Sequence, residues 1–307
     1  MHRLLTLILT AAFVLLVPAQ ALAAKGDLQG ALAFVPRDSF AVVTADLEDV
    51  KKSALFNMAK QTLLAEEKSA KRDLAELKKK TGFDVWRDIH AAVIAFDKDF
   101  PKDDDRFALI AHATYDERKL MAFAKGKGGK MQLKQGPSGP YYLLGKRKDG
   151  ALAFRGKYII LAGAKIMPTV LKKQGMGAKV RGLLAPYKSR DIAMAMEVIP
   201  TIAKQLARED KMLKDAKTVA AGLDLTSGAD LKADAGFATA TTPQKLANIA
   251  NQGLAEIAKD ESAKKMGVDG FLRKISVRAV GRKLEGRVKL SNGDLKRLEK
   301  LLRGLLF

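Results

Sequence analysis

Two histidines, one acidic loop and one strongly basic stretch are where side chains of this chain could do chemistry. His90 and His112 lie in the apolar runs 90–96 and 107–115, joined by a polar loop. If that loop turns at Pro101, paired residues sum to about 202, which sets His90 opposite His112 and Ala92 opposite Ile110. Two imidazoles across a strand pair hold a transition metal only with further ligands. The chain has no Cys and offers no third ligand in register, so it is read as having no metal site and no cofactor. The loop 97–105 carries five carboxylates, the donors that hard cations prefer. Pro101 and Lys102 break the EF-hand pattern, and the loop is read as a solvated hairpin tip.

The basic stretch says most. From Arg118 to Arg190 there are 18 Lys and Arg and a single acid, Asp149, which accounts for most of the net charge of +21. Lys125, Lys127, Lys130, Lys134, Lys146, Arg147, Lys148, Lys172 and Lys173 are the candidate polyanion-binding residues, with Tyr141 and Tyr142 interleaved. Such a patch attracts polyanions by Coulomb force and by release of condensed counterions. The competing reading is that the charge only keeps a basic protein in solution.

Several chemistries have no motif to carry them. There is no H-E-x-x-H, no G-x-G-x-x-G after a strand and no Walker loop. The run 136–140 (GPSGP) lacks the last glycine of a nucleophile elbow. Without Cys, thiol catalysis and disulfide scaffolds are excluded. An enzyme built from scattered Asp and Glu leaves no local signature, so a carboxylate-dependent hydrolase stays as the alternative to a non-enzymatic role.

The elements that must position these groups follow from hydrophobic periodicity. Residues 40–46 read as a strand, 47–80 as helical with a break near 68–70, and 90–96 and 107–115 as strands. A helix is predicted over 116–125, then strands at 131–133, 141–144, 151–154 and 158–162, and a helix over 166–173. The second half repeats this order: a strand at 192–198, a helix over 200–214 and a hairpin pairing 219–225 with 231–237. In that hairpin Asp224 is predicted opposite Lys232. A helix from Thr242 with Leu246, Ile249, Ala250, Gly253, Leu254 and Ile257 as its buried stripe follows. A hairpin around Gly281-Arg282, with Arg278 opposite Glu285, leads to a last basic amphipathic helix over 294–306. The predicted fold is α+β, antiparallel sheet with helices on one face, with the repeated order pointing to a tandem duplication. The expected division is 24–190 and 191–307.

Residues 1–23 end an apolar run with Ala21-Leu22-Ala23, a secretory signal peptide. Its removal leaves 284 residues at a charge of +20, a size that builds a core without disulfides. The expected location is the bacterial periplasm or outside the cell. The segments 34–50 (FVPRDSFAVVTADLEDV) and 82–96 (GFDVWRDIHAAVIAF) resemble a pattern in uncharacterised exported bacterial proteins. That family has no assigned activity, so the resemblance implies export and no site residues. The expectation from sequence is a non-enzymatic envelope protein with a binding or structural role. Lipopolysaccharide, anionic phospholipid or another polyanion would be its partner.

Overall fold

The computed structural model describes residues 26–53, 55–57, 60–61, 68–100, 102–103, 105–126, 130–145, 147–265 and 267–306. The expected signal peptide lies outside them, as do Lys127 and Lys146. The architecture is α+β, helices with antiparallel strands. The chain divides into two compact units, one of residues up to 52 with 56–178, the other of 53–55 with 179–307. The division falls between Ala178 and Lys179, so the stretch up to Arg190 goes with the second unit.

The first unit holds β1 (Ser39–Asp46), β2 (Ile89–Asp97), β3 (Phe107–Ala113), β4 (Met131–Gly136), β5 (Gly139–Leu144), β6 (Gly150–Arg155) and β7 (Tyr158–Gly163). Their spatial order is β1-β2-β3-β7-β6-β5-β4, every pair antiparallel. The near-continuous apolar runs of β1 and β2 are buried along almost their whole length. Asp46 ends β1 and caps the helix Leu47–Val50, its carboxylate accepting from the Glu48 amide at 3.2 Å. That helix stops at Val50, and Lys51 and Lys52 form a turn, where periodicity alone predicts continued helix.

The histidine register also differs from expectation. Ala91 opposes His112, Ala92 opposes Ala111 and Val93 opposes Ile110. The hairpin closes half a residue further along than a turn at Pro101 requires, and an irregularity between Ile89 and Ala91 puts His90 at a bulge.

The second unit holds β8 (Ile192–Glu197), β9 (Ala216–Asp224), β10 (Gly228–Phe237), β11 (Ile275–Val280) and β12 (Lys283–Ser291), in the order β8-β9-β10-β12-β11, all antiparallel. Its core gathers Val198, Ala216 and Phe237, with Ile202 and Leu206 from the helix Pro200–Glu209 and Leu246 from the helix Thr241–Lys259. The predicted 200–214 helix is interrupted at Asp210, whose extended backbone ends the helix and whose carboxylate caps a 3-10 turn by accepting from the Met212 amide at 2.8 Å. Gly281, at φ 57, makes the tight turn that joins β11 to β12. The final helix Asn292–Leu306 packs on β10 and β12 through a buried Leu295. The helix Ala178–Leu184, with Val180 and Leu184 buried, had no counterpart in the predicted order.

Two further expectations are corrected. Lys232 faces Gly222, while Asp224 faces Asp230. The facing carboxylates are tolerated because Arg287 lies 2.9 Å and Arg190 lies 3.5 Å from Asp230. On the helix Thr241–Lys259, Ile249 and Ile257 are 57% and 52% exposed. The face that packs carries Pro243 and Ala247, which are buried, and Leu246, Ala250 and Leu254, which are half-buried.

Each unit repeats one topology. A first strand is followed by a helical segment and a hairpin, β2–β3 or β9–β10. After a further helix comes a hairpin whose second strand returns beside the first hairpin, so that β7 pairs with β3 and β12 with β10. The β4–β5 hairpin has no counterpart in the second unit and extends the sheet beyond β6.

Candidate anion-binding surface

The added hairpin carries Lys134 and is flanked by the other basic residues of the site. The helix Glu117–Gly126 begins at Asp116, whose carboxylate accepts from the Lys119 amide at 3.1 Å. It ends near Lys125, where a cation meets the partial negative charge of the helix C-terminus. The chain then enters β4. The β4–β5 register pairs Met131 with Leu144, and the Gly145 amide donates to the Lys130 carbonyl at 2.9 Å. Lys130 is thereby held beside the turn from β5 to β6, which contains Arg147 and Lys148. Lys125, Lys130 and Lys148 line one open recess whose other walls are Met131, Gln132, Leu143 and Gly145. A neighbouring recess shares Lys125 and adds Arg118, Met121 and Tyr142, together with Asp116 and Glu117.

Ion pairs set some cations of the basic stretch apart from these lysines. Acids from outside the stretch pair with four of its cations. Lys119 lies 3.8 Å from Asp116, Lys165 lies 2.6 Å from Asp103, Lys179 contacts Glu197 and Arg190 reaches Asp230. Arg155 spends its guanidinium on the carbonyls of Phe154, Ser138 and Pro140, stapling the β4–β5 turn. Lys173 stacks over the Phe34 ring at 4.8 Å. Among the described residues, Lys125, Lys130, Lys134, Arg147 and Lys148 have no carboxylate within ion-pair distance. Part of the unneutralised charge therefore gathers at the helix end, at β4 and at the turn after β5, where three of these cations meet in one recess.

Lys148 adds a backbone signature. Its φ is 56, in the left-handed region that disfavours a side chain by roughly 1 kcal/mol. Lys134 lies exposed on β4, opposite Tyr141. Lys172 and Lys173 follow the helix Met167–Val170 and do not line this recess. Met131 and Leu143 join the recess without having been singled out in the sequence; the β4–β5 register, which pairs Met131 with Leu144 and Gln132 with Leu143, brings them there. Leu133 is 53% exposed on this last strand.

The other groups read as chemically suggestive are committed elsewhere. His90 Nδ1 lies 2.7 Å from Glu48 Oε1 and Nε2 lies 2.9 Å from the Thr114 hydroxyl. The His90 and His112 rings are 5.6 Å apart, and among the described residues no three His, Asp or Glu side chains gather as metal ligands. In the acidic loop the Arg106 guanidinium lies 3.9, 3.6 and 3.7 Å from Asp97, Asp99 and Asp103. Burial and the neighbouring Asp103 carboxylate push the Asp105 carboxyl up, while Lys165 holds Asp103 down. Arg106 and Lys165 thus occupy the positive side of the Asp103–Asp105 pair.

No family model matches the chain, and no curated protein matches it. Among solved structures it is similar to one titled "Structure of crystal form I of TP0453", with a TM-score of 0.45 and 9% identity, over 92% of this chain and 99% of that one. A likeness at that level decides nothing about ligand or activity.

Proposed function

We propose that this is an exported, non-enzymatic envelope protein that contacts an acidic polymer or an anionic lipid surface through the β4–β6 end of its first unit. The observation that carries the reading is the convergence of Lys125, Lys130 and Lys148 on one recess whose described lining includes no carboxylate. Two others support it. The hairpin β4–β5 that they flank is additional to the repeated topology, so the fold of the second unit forms without such an element. One of the three, Lys148, holds a backbone conformation that glycine would adopt at less cost.

Binding of this kind is dominated by counterion release and falls steeply with salt. The test is a panel of anionic phospholipid vesicles, lipopolysaccharide and duplex DNA at two salt concentrations. The reading expects association that weakens by about tenfold or more over a fourfold rise in salt. Indifference to every member of the panel near physiological ionic strength, where screening acts within roughly 8 Å, overturns it. Export is tested by the mass of the secreted protein, with Ala24 or Lys25 expected at its N-terminus.

A further inference from the structure

A second recess in the first unit is lined by His90, His112, Ala113, Thr114, Tyr115, Gly156 and Lys157. The hydrogen bonds around it fix the tautomer of one imidazole, that of His112. The Asp27 amide donates to His112 Nδ1 at 3.1 Å, so Nδ1 is an acceptor and the neutral ring carries its proton on Nε2. Burial, followed by the charge of His90, lowers the pKa of His112 and keeps it in that neutral form. His90 is held by two contacts, Nδ1 at 2.7 Å from Glu48 Oε1 and Nε2 at 2.9 Å from the Thr114 hydroxyl.

The acceptors nearby are already engaged. Glu48 binds His90 and lies 3.6 Å from Lys51. Asp27 accepts from Tyr158 and from the Gly30 amide. The Tyr115 hydroxyl donates to the carbonyls of Gly156 and Tyr158. His112 is only 5% exposed, and among the described residues its Nε2–H has no protein partner. Lys157, on the turn between β6 and β7, is exposed and has no ion pair among the described residues. The recess therefore offers two unused donors, one of them on a nearly buried side chain, and no unengaged carboxylate.

We infer that this recess binds a small oxyanion, a carboxylate or a phosphate, between His112 Nε2–H and Lys157 Nζ. The inference stands apart from the polyanion surface, because none of Lys125, Lys130 and Lys148 lines this recess. Hydrogen bonds to a charged acceptor are stronger than those between neutral groups, and the two donors, one on a nearly buried ring and one on an exposed turn, differ enough to be tested separately.

The test is titration of the full mature protein with acetate and with inorganic phosphate, following the backbone amide NMR signals of Thr114 and Gly156. Saturable shifts with at least one probe are expected. His112→Asn keeps an acceptor where Nδ1 sits and removes the donor at Nε2, so affinity should drop about tenfold or more. His112→Gln keeps a donor at the Nε2 position and should bind more tightly than His112→Asn. Lys157→Gln, on an exposed turn, should weaken binding several-fold without altering the melting temperature. The combined Lys125→Gln, Lys130→Gln and Lys148→Gln variant should bind like the wild type here. No saturable shift with either probe, or an unchanged midpoint in His112→Asn or Lys157→Gln, overturns the assignment.

Discussion

The backbone amide of Asp27 donates to Nδ1 of His112, at 3.1 Å, and this ties the start of the described chain to the middle of the first sheet. Asp27 also caps the helix Leu28–Leu32, and its carboxylate accepts from Tyr158, whose hydroxyl is pushed up to about 12 by burial and by that carboxylate. Protonating His112 Nδ1 removes the acceptor. Because the folded protein lowers the pKa of His112, the unfolded chain takes up its proton first as the pH falls. This contribution to stability is complete well above about 6.5, the ordinary value for histidine, and is lost as the pH drops below it. Denaturant melts at pH 7.5 and 5.5 should show the decline, and His112→Asn should flatten it. A wild-type melt that does not change over this interval contradicts the assignment.

Arg278 and Glu285 face each other across the last hairpin, with Nη2 and Oε2 2.6 Å apart. The Arg278 side chain is 75% exposed, so the pair is worth no more than about 1 kcal/mol. Arg278→Ala and Glu285→Ala should each lower stability by less than that, and a double-mutant cycle should give a coupling that shrinks in salt.

That pair was legible in the sequence because Gly281-Arg282 fixes the turn, and the turn fixes the register. The Asp224–Lys232 pairing was misread for the complementary reason. The connection at Thr226-Ser227-Gly228 contains no single-geometry turn signal, and Asp224 met Asp230 because distant Arg190 and Arg287 neutralise the pair. The histidine pair failed by one residue at a bulge, which leaves no mark in composition. Ile249 shows the limit of periodicity: the stripe was real, but contact with β11 and β12 selects which flank is buried. For the candidate surface, the sequence located the basic stretch, but acids far along the chain decide which of its cations stay unneutralised.

Gly163 closes β7 against the acidic loop. A Cβ built there would lie 1.5 Å from the Asp105 carbonyl oxygen, a backbone atom that cannot swing aside. Gly163→Ala should cost roughly 1–3 kcal/mol or more, read as a lowered denaturation midpoint. A variant as stable as the wild type would show that Asp105 and its loop shift freely.

Lys148 separates stability from binding. Its left-handed backbone, at φ 56, should relax in Lys148→Gly, raising stability by up to about 1 kcal/mol. The same change removes one of the three recess cations, so affinity for duplex DNA should fall. A variant that is more stable and binds equally well would make Lys148 a plain turn residue.

The central claim is that Lys125, Lys130 and Lys148 act together on an anionic partner, and the salt dependence of duplex DNA binding tests it most directly. Each phosphate contact adds about 0.9 to the slope of log K against log salt. The combined Lys125→Gln, Lys130→Gln and Lys148→Gln variant should therefore show a slope shallower by about 2.7 than the wild type. A control with Lys296→Gln and Lys300→Gln, on the final helix, should leave the slope nearly unchanged. A triple variant with the wild-type slope, or a wild-type protein that ignores DNA, lipopolysaccharide and anionic vesicles alike, would contradict the account.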